Sequence, residues 1–246
     1  MFGGISAAGP HHLVFATFEG SVVWFDVDAG AVVNYCAIYP GGPEHVHCSA
    51  ALAGTDGGVW VCDVNHRRVR EIAPDGWQRL VVGGLPTPGV DHQDDPGVLW
   101  EPCALALFAG DLVVGNGGFD MEHGVQRFSP DDGTYRGGLE RDEGWKRAQG
   151  LAVVGDELWV AESEADRVCR YAASGQCLDV ARPHPDFRRP FRLEAWPDGG
   201  ALLVMAPEDE NDLDKCGVAL LDGEATFTRW FLRAGEGHGE VTCPYD

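Results

Sequence analysis

The sequence predicts an all-β protein: a β-propeller of four-stranded antiparallel blades, five in number, with a six-blade ring holding one incomplete blade as the alternative. Three observations predict it. One pattern, an apolar run, a polar loop, an alternating run and a glycine turn, occurs about five times along the chain. Its central positions Phe15, Val61, Val114, Val160 and Val204 recur at ~45–53 residues, the period of propeller blades. And 34 glycines punctuate short apolar runs, as tight turns between short strands require.

Each repeat supplies its strands in the same order. The middle hairpins are "LVFATFEGSVVWFDVDAG" (13–30), "GVWVCDVNHRRVREIAPDG" (58–76), "DLVVGNGGFDMEHGVQRFSPDDG" (111–133), "ELWVAESEADRVCRYAASG" (157–175) and "ALLVMAPEDENDLDKCGVALLDG" (201–223). A short apolar strand precedes them: "GISAAGP", "CSAALAG", "CALALFAG", "GLAVVGD" and "LEAWPDG". A further run follows: "AVVNYCAIY", "WQRLVVGG", "TYRGGL", "QCLDVA" and "TFTRWFL". These are strands A to D of a blade. One small twisted sheet cannot bury both faces alone, but a sheet stacked between two neighbours can. Trp24, Trp60, Trp159 and Trp196 are expected to fill the layer between blades. The whole chain, 1–246, reads as one propeller domain, with the tail 237–246, which contains "EVTCPYD", expected to return to the first blade and close the ring.

Composition narrows the function. A net charge of −21 argues against nucleic acid and against an anionic membrane surface, because both need clustered Lys and Arg. No apolar run is long enough to span a bilayer. The first residues, "MFGGISAAGPHHLVF", lack the basic and apolar regions of a signal peptide. Eight cysteines occur without a CxxC pair, which argues against a zinc ribbon. A cytoplasmic protein with reduced thiols is the expectation.

Propeller geometry sorts the polar residues. Strand A is innermost and B runs antiparallel to it, so A-starts and B-ends lie on one face. The A-starts carry His45, His47 and Cys48, then Glu101 and Cys103, then Arg147 and Gln149, then Arg189 and Arg192. The B-ends carry Thr17, Asp63, Asn116, Glu162, and then Pro207 and Glu208. His66, His123 and the long 85–100 loop with His92, Asp94 and Asp95 join them. Long loops on a rigid scaffold carry function.

The hairpins "VWVCDVNHRRVREIAPDG" and "LWVAESEADRVCRYAASG" resemble NHL repeats, in which a hydrophobic run leads to Asp, Asn-Arg-Val and a glycine turn. The resemblance covers the second and fourth repeats well, the third in part, and the first and fifth in outline. It implies a propeller. Propellers of this type include protein-interaction modules, lactonase-like metal-dependent hydrolases and amidating lyases, so it implies no single reaction.

Asp63, Asn116 and Glu162 stand at equivalent positions of three consecutive blades, and such oxygen ligands suit Ca²⁺ or Mg²⁺. The lactonase-like propellers similarly hold a divalent ion with Glu, Asn and Asp, although their Glu-Gly-Pro-Val-Trp lead is missing here. His45 and His47 as ligands point to Zn²⁺ instead. The same Asp, Asn and Glu could equally tie the B–C turn to its neighbouring loop. The expected function is a small-molecule-acting enzyme, a divalent-metal-dependent hydrolase or lyase. His47, Glu162 and His123 would be catalytic, and Arg147, Gln149, Arg189, Arg192 and Glu101 would bind substrate. The alternative is a non-catalytic propeller that engages a protein, peptide or sugar on the same face.

Overall fold

The structure, a computed structural model, describes residues 2–38, 47–84, 95–141, 143–182, 184, 188–205, 216–234 and 240–241. Its fold class is the expected one: five four-stranded antiparallel blades of a propeller, with no α-helix among the described residues. The chain divides into two units, residues 1–118 with 125–137, and residues 119–124 with 138–246.

The first unit holds three blades. Blade 1 is β1 (Phe2–Ala7), β2 (His12–Thr17), β3 (Ser21–Asp26) and β4 (Ala31–Ala37). Blade 2 is β5 (Cys48–Ala53), β6 (Val59–Asp63), β7 (Arg68–Ile72) and β8 (Gln78–Gly83). Blade 3 is β9 (Pro102–Phe108), β10 (Asp111–Asn116), β12 (Val125–Phe128) and β13 (Tyr135–Gly138), with β11 (Phe119–Met121) leaving from its B–C connection. Burial follows strand order. Every residue of β6 and β10 is buried, because strand B is covered on both faces and so reads as a continuous apolar run. Strand D is the outer edge, and β4 is largely exposed.

Blades 1 and 2 share one core of Val14, Ala16, Val22 and Trp24 with Cys48, Val59, Val61 and Ile72. Blades 2 and 3 share another, in which Trp60, Cys62 and Val69 meet Leu105, Leu112, Val114 and Phe128.

In the second unit, β11 pairs with β14 (Trp145–Lys146) in a short ribbon absent from the sequence reading. Blade 4 is β15 (Ala148–Val154), β16 (Glu157–Glu162), a 3-10 turn at Ser163–Ala165, β17 (Arg167–Tyr171) and β18 (Cys177–Ala181). Blade 5 is β19 (Pro190–Ala195), β20 (Ala201–Met205), β21 (Gly217–Leu221) and β22 (Phe227–Ala234). Trp159, Ala161 and Val168 pack on Leu193, Leu203 and Ala219 between them. Trp24, Trp60 and Trp159 therefore fill layers between blades as expected. Trp196 does not: it is half-buried in the A–B turn of blade 5, edge-to-face with Phe231. Of the tail, the described strand β23 (Glu240–Val241) lies parallel to β22 and makes a fifth strand on that blade.

Candidate functional site

Strand register defines the A-start face. Thr17, Asp63, Asn116, Glu162 and Met205 oppose the first residues of their A strands, Phe2, Cys48, Pro102, Ala148 and Pro190. They are equivalent B-ends. The fifth B-end is thus Met205, whereas Pro207 and Glu208 lie outside the described residues. Each A–B pair also carries a register shift just after the A-start, between Phe2 and Gly4, Cys48 and Ala51, Gly115 and Asn116, Ala148 and Gly150, and Pro190 and Arg192. Such bulges re-aim side chains beside functional sites. Cys103, Gln149 and Phe191 are the extra residues in blades 3, 4 and 5. Arg192, expected at this place, stands one step further on, in register with Val204, and its guanidinium lies 5.0 Å from the Phe191 ring.

A second repeating bond defines the rim. The N–H following the B-end donates to the carbonyl of the residue preceding strand A: Val64 to His47 (3.0 Å), Gly117 to Glu101 (2.7 Å) and Ser163 to Arg147 (3.1 Å). His47, Glu101 and Arg147 are therefore equivalent, and Arg189, just before β19, has the same place in blade 5. Arg147 and Arg189 also share a left-handed backbone, with φ of 60° and 48°. One backbone frame thus presents a different side chain on each blade.

In the first unit, His47 lies against the Phe18 ring of the preceding blade, with centroids 4.4 Å apart. Arg67, on the B–C turn of blade 2, covers Trp100 of blade 3 at 3.3 Å. The Glu101 carboxylate and Cys103 thiol lie over Gly117, where an added Cβ would meet them at 3.3 and 3.4 Å. In the second unit, Glu164 stands beside two rim arginines, 3.7 Å from Arg147 and in contact with Arg189. Asp166 accepts the Arg189 backbone N–H at 2.8 Å. The B–C turns of blades 1, 2 and 4 thus each latch the segment entering strand A of the following blade, by ring contact, cation–π contact or ion pair.

The buried B-ends face inward. Asp63 accepts from His66 (2.7 Å), Arg70 (2.9 Å) and Arg68 (3.3 Å). Burial lowers the Arg70 pKa to about 10 and raises that of the Cys48 thiol to about 12, with the Asp63 charge adding to the latter. Glu162 is held by Arg141 (2.8 Å), Arg167 (3.1 and 3.2 Å), the Cys169 thiol (3.0 Å) and the Lys146 backbone N–H (3.2 Å). Asn116 accepts the Trp100 N–H at 3.1 Å, the counterpart of the Lys146 bond to Glu162. Gln126, fully buried, accepts from Gly97 N–H and donates to Val98 C=O, both at 2.7 Å. These bonds tie the segment entering strand A. Sequence reasoning missed Arg141 and Gln126, which no hairpin motif marks.

Gln126→Ala leaves the Gly97 N–H and the Val98 carbonyl without these bonds. A loss of about 1–3 kcal/mol is expected, with faster amide exchange at Gly97. Unchanged exchange there would remove this role.

The sequence-derived set is thus distributed. His47, Glu101, Asp63 and Asn116 belong to the first unit, and His123, Arg147, Gln149, Glu162, Arg189 and Arg192 to the second. His123, half-buried, follows the β11 strand. His45, His92 and Asp94 lie outside the described residues. Among the described residues no three His, Cys, Asp or Glu side chains converge as a metal-binding group. None of the helical segments described is long and apolar enough to cross a membrane.

The fold is a β-propeller whose hairpins resemble NHL repeats. No protein-family model and no curated protein matches the sequence, but solved structures match the fold. A streptogramin B lyase structure aligns at 14% identity over 92% of this chain and 67% of that one, with a TM-score of 0.66. Catalytically inactive virginiamycin B lyase from Staphylococcus aureus with quinupristin aligns at 16% identity over 92% and 68%, with a TM-score of 0.64. A nidogen/laminin complex aligns at 14% identity over 94% and 79%, with a TM-score of 0.70. At such identities the likeness is one of fold.

Proposed function

We propose that the chain acts on a small molecule at its A-start rim, with Arg147 and Arg189 receiving an anionic or strongly polar group of that molecule. The rim itself carries this reading: one backbone frame repeats from blade to blade while its side chain changes from His47 to Glu101 to Arg147. Two arginines at equivalent positions of adjacent blades suit a carboxylate or phosphate. The finer reading is hydrolysis or lyase chemistry, with His123, of the same unit as the two arginines, as proton carrier. A lyase among the structural neighbours is consistent with it. A divalent cation would draw on His45 and His47 before Asp63 or Glu162, whose oxygens already face guanidinium groups.

That last observation favours a second reading, a propeller that binds without catalysis. With Asp63 and Glu162 held by arginines, neither is poised as a general base. The nidogen/laminin neighbour is consistent with binding alone.

Thermal shifts against small carboxylates, phosphate esters and lactones test the rim. A ligand at a hundredfold excess over its Kd stabilises by about 2.7 kcal/mol. For a chain of this size that is a rise of about 5–10 °C in Tm. The Arg147→Ala, Arg189→Ala double variant should abolish the shift. A shift that survives it, or no shift from any compound, removes the rim proposal. Product analysis with a binding compound then separates enzyme from binder. Metal analysis of wild type and His47→Ala decides the cation.

A further inference from the structure

The exposed outer strand of blade 1 is unlike the other four. Among the D strands, β8 carries Arg79, β13 Arg136, β18 Asp179, and β22 Arg229 and Arg233, whereas β4, "AVVNYCA", carries no charged residue. Its Val32, Val33 and Tyr35 are 57%, 54% and 60% exposed. Outer strands present unpaired backbone groups, and charges on them discourage pairing with another chain. Here that safeguard is missing, on the first blade of a chain whose net charge is −21.

Two neighbours extend the strip. The Pro74–Gly76 turn of blade 2 touches it: the Asn34 side chain donates to Pro74 C=O, and a Cβ on Gly76 would meet Cys36 at 3.1 Å. Trp77, the next residue, is 76% exposed. Ile38 N–H donates to Gly20 C=O, so alternate residues, Ala37 and Tyr35, turn their backbone groups to the open edge. Among the described residues the Tyr35 N–H is met there only by the neighbouring Asn34 side chain, at 2.9 Å, a local contact that a partner strand can replace. The edge of β22 already carries the parallel strand β23, so an outer strand of this fold does take up further chain.

We propose that β4 is a self-association edge, pairing antiparallel with β4 of a second copy about a two-fold axis. A second copy is the occupant that symmetry favours, and an uncharged strand is the place where its like charge opposes it least. Two chains of −21 repel wherever acidic surface meets acidic surface. Along β4 any antiparallel register sets only uncharged side chains opposite one another. A symmetric contact requires a patch complementary to itself, and an uncharged strand meets that requirement. Trp77 and Tyr35 are the residue types that dominate association energies.

Sedimentation velocity of the full chain over a concentration series tests this. The dimer fraction should rise between about 0.1 M and about 1 M NaCl, as the screening length falls from about 10 Å to about 3 Å and the repulsion fades. Val33→Lys, at an exposed position, should weaken association about tenfold or more without changing Tm. Trp77→Ala, which leaves the sequence of β4 intact, should also weaken it and serves as the second variant. Leu178→Lys on the already charged β18, 49% exposed, should change nothing. A chain that stays monomeric at every concentration and salt, or a dimer indifferent to V33K and W77A, overturns the proposal. So does a dimer that L178K disrupts equally.

Discussion

Replacing Glu162 with alanine is expected to destabilise the protein by about 3–5 kcal/mol, a fall of about 6–20 °C in Tm. Glu162 is fully buried, and the Arg141 side chain beside it is 8% exposed. Burial alone would lower the Arg141 pKa, but Cys169, Tyr171 and Glu162 together hold it raised, so the guanidinium stays charged. Removing the carboxylate strands that charge in a site enclosed by Trp145 and Tyr171. Breaking a buried pair costs several kcal/mol, whereas replacing both partners by apolar groups is often neutral. The Glu162→Ala, Arg141→Met double variant should therefore recover much of the lost stability. A Glu162→Ala protein that melts like wild type but no longer binds a cation or ligand would move Glu162 from scaffold to chemistry. Parallel melting and binding measurements on both variants decide.

The equivalence of Asp63, Asn116 and Glu162 is legible in the sequence, because each ends a B strand in a hairpin of one pattern. Their partners are not. Arg141 comes from the segment entering blade 4, outside the repeat, and Gln126 sits mid-strand with no motif to mark it. The β11–β14 ribbon is likewise invisible, since strands of two and three residues have no readable period. Trp196 misleads for a related reason. Trp60 and Trp159 oppose Leu52 and Ala152 inside B strands, while Trp196 falls just past the end of strand A, in a turn. The A-start rim is legible as a face but not as a register. Only the backbone bonds distinguish Glu101 and Arg147 from the bulge residues Cys103 and Gln149, and only the start of β19 distinguishes Arg189 from Phe191. An edge strand poses the opposite problem. "AVVNYCA" reads like any apolar strand, and its exposure comes from its place in the blade.

Gly4→Ala is expected to cost about 3 kcal/mol, or about 6–12 °C in Tm, although it adds only one methyl group. A Cβ at Gly4 would stand 2.3 Å from Ala51 N and 2.6 Å from Ala50 C and Cα. These are backbone atoms of β5, so no side chain can swing aside; β1 and β5 must separate or the bulge after Cys48 must deform. Gly223→Ala, where an added Cβ meets nothing within 4 Å, is the control and should melt within about 1–2 °C of wild type. Equal melting of the two variants would mean that the close approach of the inner strands is not needed for stability. The displacement also has a direction. β5 begins at Cys48, directly after His47, and the His47–Phe18 contact joins the same two blades. Gly4→Ala should therefore loosen that ring contact, read as a shift of the His47 imidazole resonances. The Arg147–Glu164–Arg189 group belongs to the second unit, and its resonances should hold their positions.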